Sequence, residues 1–192
     1  DLYHAGCRNI QFDDCTWGMF CDTEYWNKRQ KGAVSLKAIA EEYLRLNNLA
    51  LEDRPKDLVV TTHVCRGNYH STWAARGGYG PIAPLLFGRG NVDAFYLEFD
   101  DERSGSFAPL KEVVPGKKVV LGLITTKRPE LEDREQVIAR IREAARYVPL
   151  ENLCLSPQCG FASCEIGNRL TEEQQWAKLA LVRSIVQEVW GK

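Results

Sequence analysis

The stretch Leu58 to Cys65, LVVTTHVC, reads as a β-strand over Leu58 to Val64 with chemistry at its end. Its β-branched, apolar residues suit a pleated and buried surface. His63 and Cys65 are two positions apart, so on an extended backbone both side chains project to the same side. Four further runs have the same character: Arg8 to Asp13 (RNIQFD), Ala94 to Phe99 (AFYLEF), Val119 to Ile124 (VVLGLI) and Leu153 to Leu155 (LCL). Their apolar richness predicts strands buried on both faces.

Between these runs the periodicity changes from two to about 3.6. From Ser35 to Asn47, Leu36, Ile39, Ala40, Tyr43 and Leu44 form one stripe and Glu41, Glu42 and Arg45 the opposite one, which predicts a crossover helix. A second helix is expected over Glu132 to Tyr147, where Val137, Ile138, Ile141, Ala144 and Ala145 keep the spacing and Pro149 follows its end. A third opens at Thr171, with Gln174 placed as its capping-box partner, and carries Trp176, Leu179, Ala180 and Trp190. Prolines and glycines between Gly80 and Gly90 leave room only for a short helix. Five strand–helix units predict an α/β fold with a parallel sheet, either doubly wound or part of an eight-stranded barrel, which needs about 200 residues or more. Neither a Gly-x-Gly-x-x-Gly turn after the first strand nor a phosphate-loop motif is present, so no nucleotide fingerprint favours the doubly wound form.

The 192 residues hold 25 Lys and Arg against 26 Asp and Glu, a net charge of -1, so nucleic acid and anionic membranes are not electrostatically favoured partners. Hydrophobic residues at 44% and charged residues at 27% are ordinary for a folded globular domain. No apolar run reaches the roughly 18 residues of a membrane span. Position 1 is Asp and the single Met is Met19, so residues upstream of Asp1 are expected. Seven cysteines, an odd number, argue against a disulfide framework in a chain of this size. A reducing, cytoplasmic setting is expected, with most thiols buried and a few available as ligands.

Polar residues gather at the C-terminal ends of the strands: Asp13 and Asp14, His63 and Cys65, Glu98 and Asp100, Thr125 and Thr126, then Cys159. In a (β/α) barrel that face assembles the chemistry. His63 and Cys65 make half a metal site, and Glu98 and Cys159 supply further donors of the kind that tetrahedral zinc accepts. The alternative for His63 and Cys65 is a buried imidazole bonded to backbone beside an inert thiol. Cys159 and Cys164 form a Cys-x₄-Cys pair without a second close pair to complete a zinc ribbon.

These motifs carry a family resemblance. Ile10-Gln11-Phe12-Asp13-Asp14 resembles the Ile-Gln-hydrophobic-Asp-Glu strand of the cobalamin-independent methionine synthase family. Thr62-His63-Val64-Cys65 is similar to its Thr-His-x-Cys, and Tyr96-Leu97-Glu98 to its hydrophobic-Glu strand. Leu155-Ser156-Pro157-Gln158-Cys159-Gly160 is similar to its Asn-Pro-Asp-Cys-Gly turn. The phrase from Cys65 to Trp73, CRGNYHSTW, is closer to the short single-barrel relatives than to the two-barrel synthases. The resemblance implies a TIM-type (β/α)8 barrel, of which residues 1–192 supply about the last five of eight strands as a partial catalytic domain.

It further implies a methyltransferase of the 5-methyltetrahydropteroyltriglutamate–homocysteine S-methyltransferase type, serving methionine biosynthesis. His63, Cys65, Glu98 and Cys159 would hold zinc, and the thiol of homocysteine or a similar acceptor would take the methyl group as a thiolate. Asp13 matches the acidic residue that grips the amino group of the acceptor. Where the longer synthases carry Ile-His-Ser-Pro, with a His suited to protonating the departing carrier, this chain has Leu123-Ile124-Thr125-Thr126-Lys127. His70 is the candidate replacement. The donor stays open among methyltetrahydrofolate, a methyl-corrinoid and another methylated carrier, with Arg66, Lys127 and Arg128 available to an anionic tail. Two other readings stand beside this one: a catalytically silent zinc-binding barrel fragment, and a related thiol methyltransferase acting on coenzyme M or a corrinoid protein. Five apolar strands leave open edges, so a second copy in a homodimer, or a missing N-terminal portion, is expected to cover them through an obligate contact of about 2,000 Å² or more.

Overall fold

The computed structural model describes residues 1–29 and 35–191. Five strands form one sheet in the order β1-β2-β3-β4-β5, and every pairing is parallel: β1 (Asn9–Asp13), β2 (Val59–Val64), β3 (Ala94–Glu98), β4 (Lys118–Ile124) and β5 (Leu153–Pro157). A doubly wound sheet reverses its strand order at a switch point, whereas a barrel adds each strand beside the last. The unbroken sequential order is that of a barrel wall, and the fold is α/β as a partial barrel.

Registers bring the functional positions level. Asp13 pairs with His63, Val64 with Leu97, Glu98 with Gly122 and Gly122 with Ser156. One residue past the Val64–Leu97 pair lie Cys65 and Glu98. Side-chain alternation therefore directs Asp13, His63, Glu98 and Ser156 to the face opposite the helices. The helix-facing side carries the apolar core, with Val119, Leu121 and Leu123 of β4 and Phe95 and Leu97 of β3 fully buried. Ring contacts Phe87–Phe95 (5.1 Å), Tyr79–Phe99 (5.0 Å) and Phe99–Phe107 (4.6 Å) continue it.

The helices are α1 (Cys15–Cys21), α2 (Thr23–Arg29), α3 (Leu36–Leu49), α4 (Ala83–Arg89), α5 (Arg134–Ala144) and α6 (Glu172–Trp190). Ser35 caps α3 by accepting from the Ala38 N–H, and Thr171 and Gln174 form the expected capping box of α6. Helices α1 and α2 have no counterpart in the sequence reading. The Asp14 carboxylate starts the first of them by accepting from the Thr16 N–H.

Four expectations are corrected. The unit after β3 has no α-helix; two 3₁₀ turns, Glu102–Ser104 and Ala108–Glu112, make the crossover. Helix α5 starts later than Glu132, because Asp133 is its cap and the Glu132 carboxylate instead accepts from the Thr125 N–H and Lys178. In α6, Trp176 is exposed and Ile185 buried, with Leu181, Val182 and Val189 against the core; the Lys178–Glu132 ion pair turns that stripe inward. Burial on both faces holds for β3 and for most of β4, whereas β1 is exposed except at Ile10, which is half-buried, because β1 is an edge strand.

Gly122 shows how tightly the wall closes under the site. A Cβ there would lie 2.8 Å from both Gln158 Cα and the Leu97 carbonyl oxygen, so backbone itself would have to move. Gly122→Ala is expected to cost about 1–3 kcal/mol in urea-induced unfolding; a loss near zero would show that the β4–β5 wall is looser than the register implies.

Candidate metal centre

His63 enters from the end of β2 and Cys65 from the residue after it; Cys159 comes from the turn that follows β5. Their ligand atoms, one from each, all lie within 4.8 Å of one another, a group that can hold a metal ion. The Nδ1 of His63 meets Asp13 Oδ1 at 2.8 Å, as the β1–β2 register dictates. That leaves Nε2 facing the sulfurs, buried and without a hydrogen-bond partner. Glu98 stands against the group, one oxygen 3.5 Å from Nε2.

Glu98 is completely buried. Its Oε1 accepts from the Arg66 backbone N–H (3.0 Å) and Asn68 Nδ2 (2.6 Å), and its Oε2 from an Arg103 amino group (2.9 Å) and Gln158 Nε2 (3.3 Å). Burial alone would raise the carboxyl, but His63, the charge of Lys127 and these donors outweigh it and hold Glu98 down at about 2. Burial likewise opposes the imidazolium, yet the bond to Asp13 and the nearby carboxylate of Glu98 push His63 up to about 10. Cys65 is lowered, chiefly because the Cys159 thiol donates to its sulfur, and Cys159 is correspondingly raised. The metal-competent group is one nitrogen and two sulfurs, from His63, Cys65 and Cys159; Glu98, expected as a fourth ligand, stands outside it with both oxygens accepting from other donors.

Asp13 has two positions to fill: one oxygen holds His63 while its side chain remains 66% exposed, open to a cationic group from solvent. Cys164 does not join the group; its sulfur is directed to the Gly167 carbonyl. The ring of His70 also leads away, with Nδ1 bonded to the Gly167 carbonyl oxygen at 2.9 Å. The Ser71 N–H donates to Asn168 Oδ1 and Asn168 Nδ2 to the Thr126 carbonyl, so the loops after β2, β4 and β5 are tied together. Positive φ at His70 and Ser71 belongs to this clasp. Arg66, read as a contact for an anionic tail, is instead entirely buried with its guanidinium 4.5 Å over the Tyr79 ring. Lys127 turns to Asp100 at 3.5 Å, and only Arg128 of the three is exposed.

The sequence reading missed Asn68, Arg103 and Gln158 around Glu98, and Cys15 beside Cys65. Gln158 and Asn68 both lie inside quoted motifs and were within reach; nothing local marks Arg103. The group opens into a pocket of about 230 Å³ lined by Gln11, His63, Tyr96 and Cys159, with Phe161 at its rim. On the other side of Arg103 a larger cavity of about 820 Å³ is lined by Trp73, Arg76 and Arg128 with several carboxylates.

A thiol and imidazole group at the carboxyl ends of parallel barrel strands defines the class: a (β/α)-barrel protein with a metal-competent site at its strand ends. The chain belongs to the cobalamin-independent methionine synthase family, since residues 1–181 match the family described as "Cobalamin-independent synthase, Catalytic domain". It is 49% identical to the uncharacterized Bacillus subtilis protein YxjH over 98% of this chain and 50% of that one. A crystal structure from Listeria monocytogenes, of a protein proposed to be a vitamin-B12-independent methionine synthase, is 41% identical and superposes with a TM-score of 0.75 over 99% of this chain and 51% of that one. A B12-independent methionine synthase from Shewanella, 21% identical with a TM-score of 0.70 over 98% of this chain and 50% of its own, shares the fold. The chain thus spans about half the length of the relatives it matches. No helix among the described residues is long and apolar enough to cross a membrane.

Arg103 neutralises Glu98 and Asp100 together, at 2.9 and 2.8 Å, with only 4% of its side chain exposed. Arg103→Met leaves two buried carboxylates short of their cation and is expected to cost about 3–5 kcal/mol, read from the midpoint of chemical unfolding; a variant as stable as the parent chain would remove Arg103 from the network.

Proposed function

We propose that this chain carries the metal-binding half of a zinc-dependent methyltransferase that moves a methyl group from a methylated carrier to the thiol of homocysteine, giving methionine. The observation that carries the reading is the orphaned, buried Nε2 of His63 set among two sulfurs and one oxygen of Glu98. A buried imidazole nitrogen without a hydrogen-bond partner is costly, and a metal ion that displaces its proton would supply that partner. The donor set of one nitrogen, two sulfurs and one oxygen suits zinc. His63, Cys65, Cys159 and Glu98 would hold the ion. When bound, zinc lowers the pKa of a coordinated thiol and offers the thiolate as a nucleophile at neutral pH.

The rest of the work falls to the protein. Asp13 holds the Nδ1–H of His63, which fixes the tautomer and aims Nε2 inward. Its exposed oxygen is placed to accept from the acceptor's ammonium group, which would set the thiol beside the cluster. Arg66, Asn68, Arg103 and Gln158 fix the Glu98 carboxylate, so that donor atoms need no rearrangement on binding. Holding acceptor and carrier at reacting distance is the main source of rate. For His70, the bond to Gly167 supports a role in tying loops together rather than in protonating the departing carrier. The carrier stays defined by class: methyltetrahydrofolate or another methylated donor. The 192 residues correspond to a partial barrel domain, completed by further strands of a longer polypeptide or by a second copy.

In the full-length protein, Cys159→Ser is expected to abolish zinc binding and methyl transfer together, while Cys164→Ser leaves both near the parent level. Zinc per chain by atomic absorption and methionine formation give the readouts. Retention of zinc by Cys159→Ser would overturn the ligand set. Zinc bound without thiol alkylation from any methylated donor would favour the silent module. Asp13→Asn is expected to raise KM for homocysteine by roughly tenfold, about 1.4 kcal/mol, and an unchanged KM would transfer the reading to an acceptor lacking an amine.

A further inference from the structure

Cys15 is a third thiol at the site, and the family motif gives it no part. It lies two residues past Asp13 as Cys65 lies two past His63, and Asp13 and His63 are register partners on adjacent parallel strands. The ladder continues one step further, because the Asp14 N–H donates to the His63 carbonyl at 2.8 Å. The first turn of α1 is pressed onto Cys65 as well: a Cβ on Gly18 would fall 2.1 Å from the Cys65 carbonyl oxygen. The sulfurs of Cys15 and Cys65 and an oxygen of Asp13 all lie within 4.8 Å of one another. Cys15 is exposed and Cys65 buried, so the pair has a route to solvent.

We propose that Cys15 and Cys65 form a reversible oxidation site, in which a peroxide converts the two thiols to a disulfide and withdraws Cys65 from the metal-binding set. The reaction balances with a peroxide as the oxidant. The Cys65 sulfur attacks the O–O bond, giving a Cys65 sulfenic acid and releasing water or an alcohol. The Cys15 sulfur then attacks the sulfenyl sulfur, forms the S–S bond and expels water. Two electrons pass from the two sulfurs to the peroxide, and the thiol protons leave in the released water or alcohol. Cys159 also neighbours Cys65, but it arrives from the turn beyond β5, outside the β1–β2 register that sets Cys15 and Cys65 side by side. The proposal builds on the zinc reading only in its consequence; the disulfide itself needs no metal.

The test treats the 192-residue chain with hydrogen peroxide, both after chelation and after zinc loading, then blocks free thiols and maps peptides by mass spectrometry. The expected product in the chelated chain is a Cys15–Cys65 link, two hydrogens lighter, that dithiothreitol reverses. Zinc loading is expected to slow its formation, and the linked chain to lose zinc capacity until reduced. In the double variant Cys15→Ser/Cys159→Ser, Cys65 has neither neighbouring thiol and is expected to proceed to sulfinic acid, which dithiothreitol does not restore; in Cys159→Ser alone the Cys15–Cys65 link should still form. A Cys65–Cys159 link in the unmodified chain, or failure of Cys159→Ser to form the Cys15–Cys65 link, would overturn the proposal. If zinc fails to bind at all, the zinc reading falls while the map of the chelated chain still decides this one.

Discussion

The buried carboxylate of Glu98 is the constraint around which the catalytic face is built. A carboxylate taken fully out of water is tolerable only with its oxygens satisfied and its charge neutralised. Here four donors from three segments meet it: Arg66 and Asn68 from the loop after β2, Arg103 from the turn after β3, and Gln158 from the turn after β5. Satisfying one group thus fixes the positions of three loops. Those loops also present Cys65 and Cys159, so the geometry of the sulfurs follows from the solvation of an oxygen.

Division of labour between the two faces of the sheet makes this possible. The helix-facing side is apolar and supplies the stability, with rings and aliphatic side chains packed behind β3 and β4. The opposite face has no helices to meet and carries Gln11, Asp13, His63, Tyr96 and Ser156, residues that tolerate or require polar company. A one-residue slip in any strand would exchange these sets. Gly122, where a side chain would collide with backbone on two sides, lets β5 and its turn come close enough for Gln158 to reach Glu98.

A second level of constraint lies in the loops. His70, Ser71 and Asn168 bind the loops after β2, β4 and β5 through backbone groups, and two of these residues adopt positive φ to do so. Backbone strain of this kind persists only where surrounding bonds over-determine it. The clasp lies beyond the thiol group and holds its surroundings closed, which gives His70 a structural reason to be where it is. Cys15 meanwhile enters through α1, a helix started by the Asp14 side chain, and is brought to Cys65 by the β1–β2 register together with the packing of α1 onto Cys65.

By itself the sequence determined the five strands, the three long helices and the Thr171–Gln174 cap of the last, because apolar periodicity and capping side chains are local signals. It also determined His63 and Cys65 as a pair, since two positions on an extended chain share a side. That Cys159 joins them and Glu98 stands against the group is a matter of the fold, as no local property of AFYLEF or SPQCG announces a partner 30 or more residues away. Tertiary structure alone decided the rest. It buried Arg66 over Tyr79 instead of leaving it to a ligand, put Lys178 inside and Trp176 outside, replaced the expected helix after β3 by 3₁₀ turns, and exposed β1 as an edge. The places of Arg66 and Lys178 depend on partners met only in the folded chain, since the energy of a buried charge is set by its neighbours in space rather than by its neighbours in sequence, and the exposure of β1 follows from its position at the edge of the sheet.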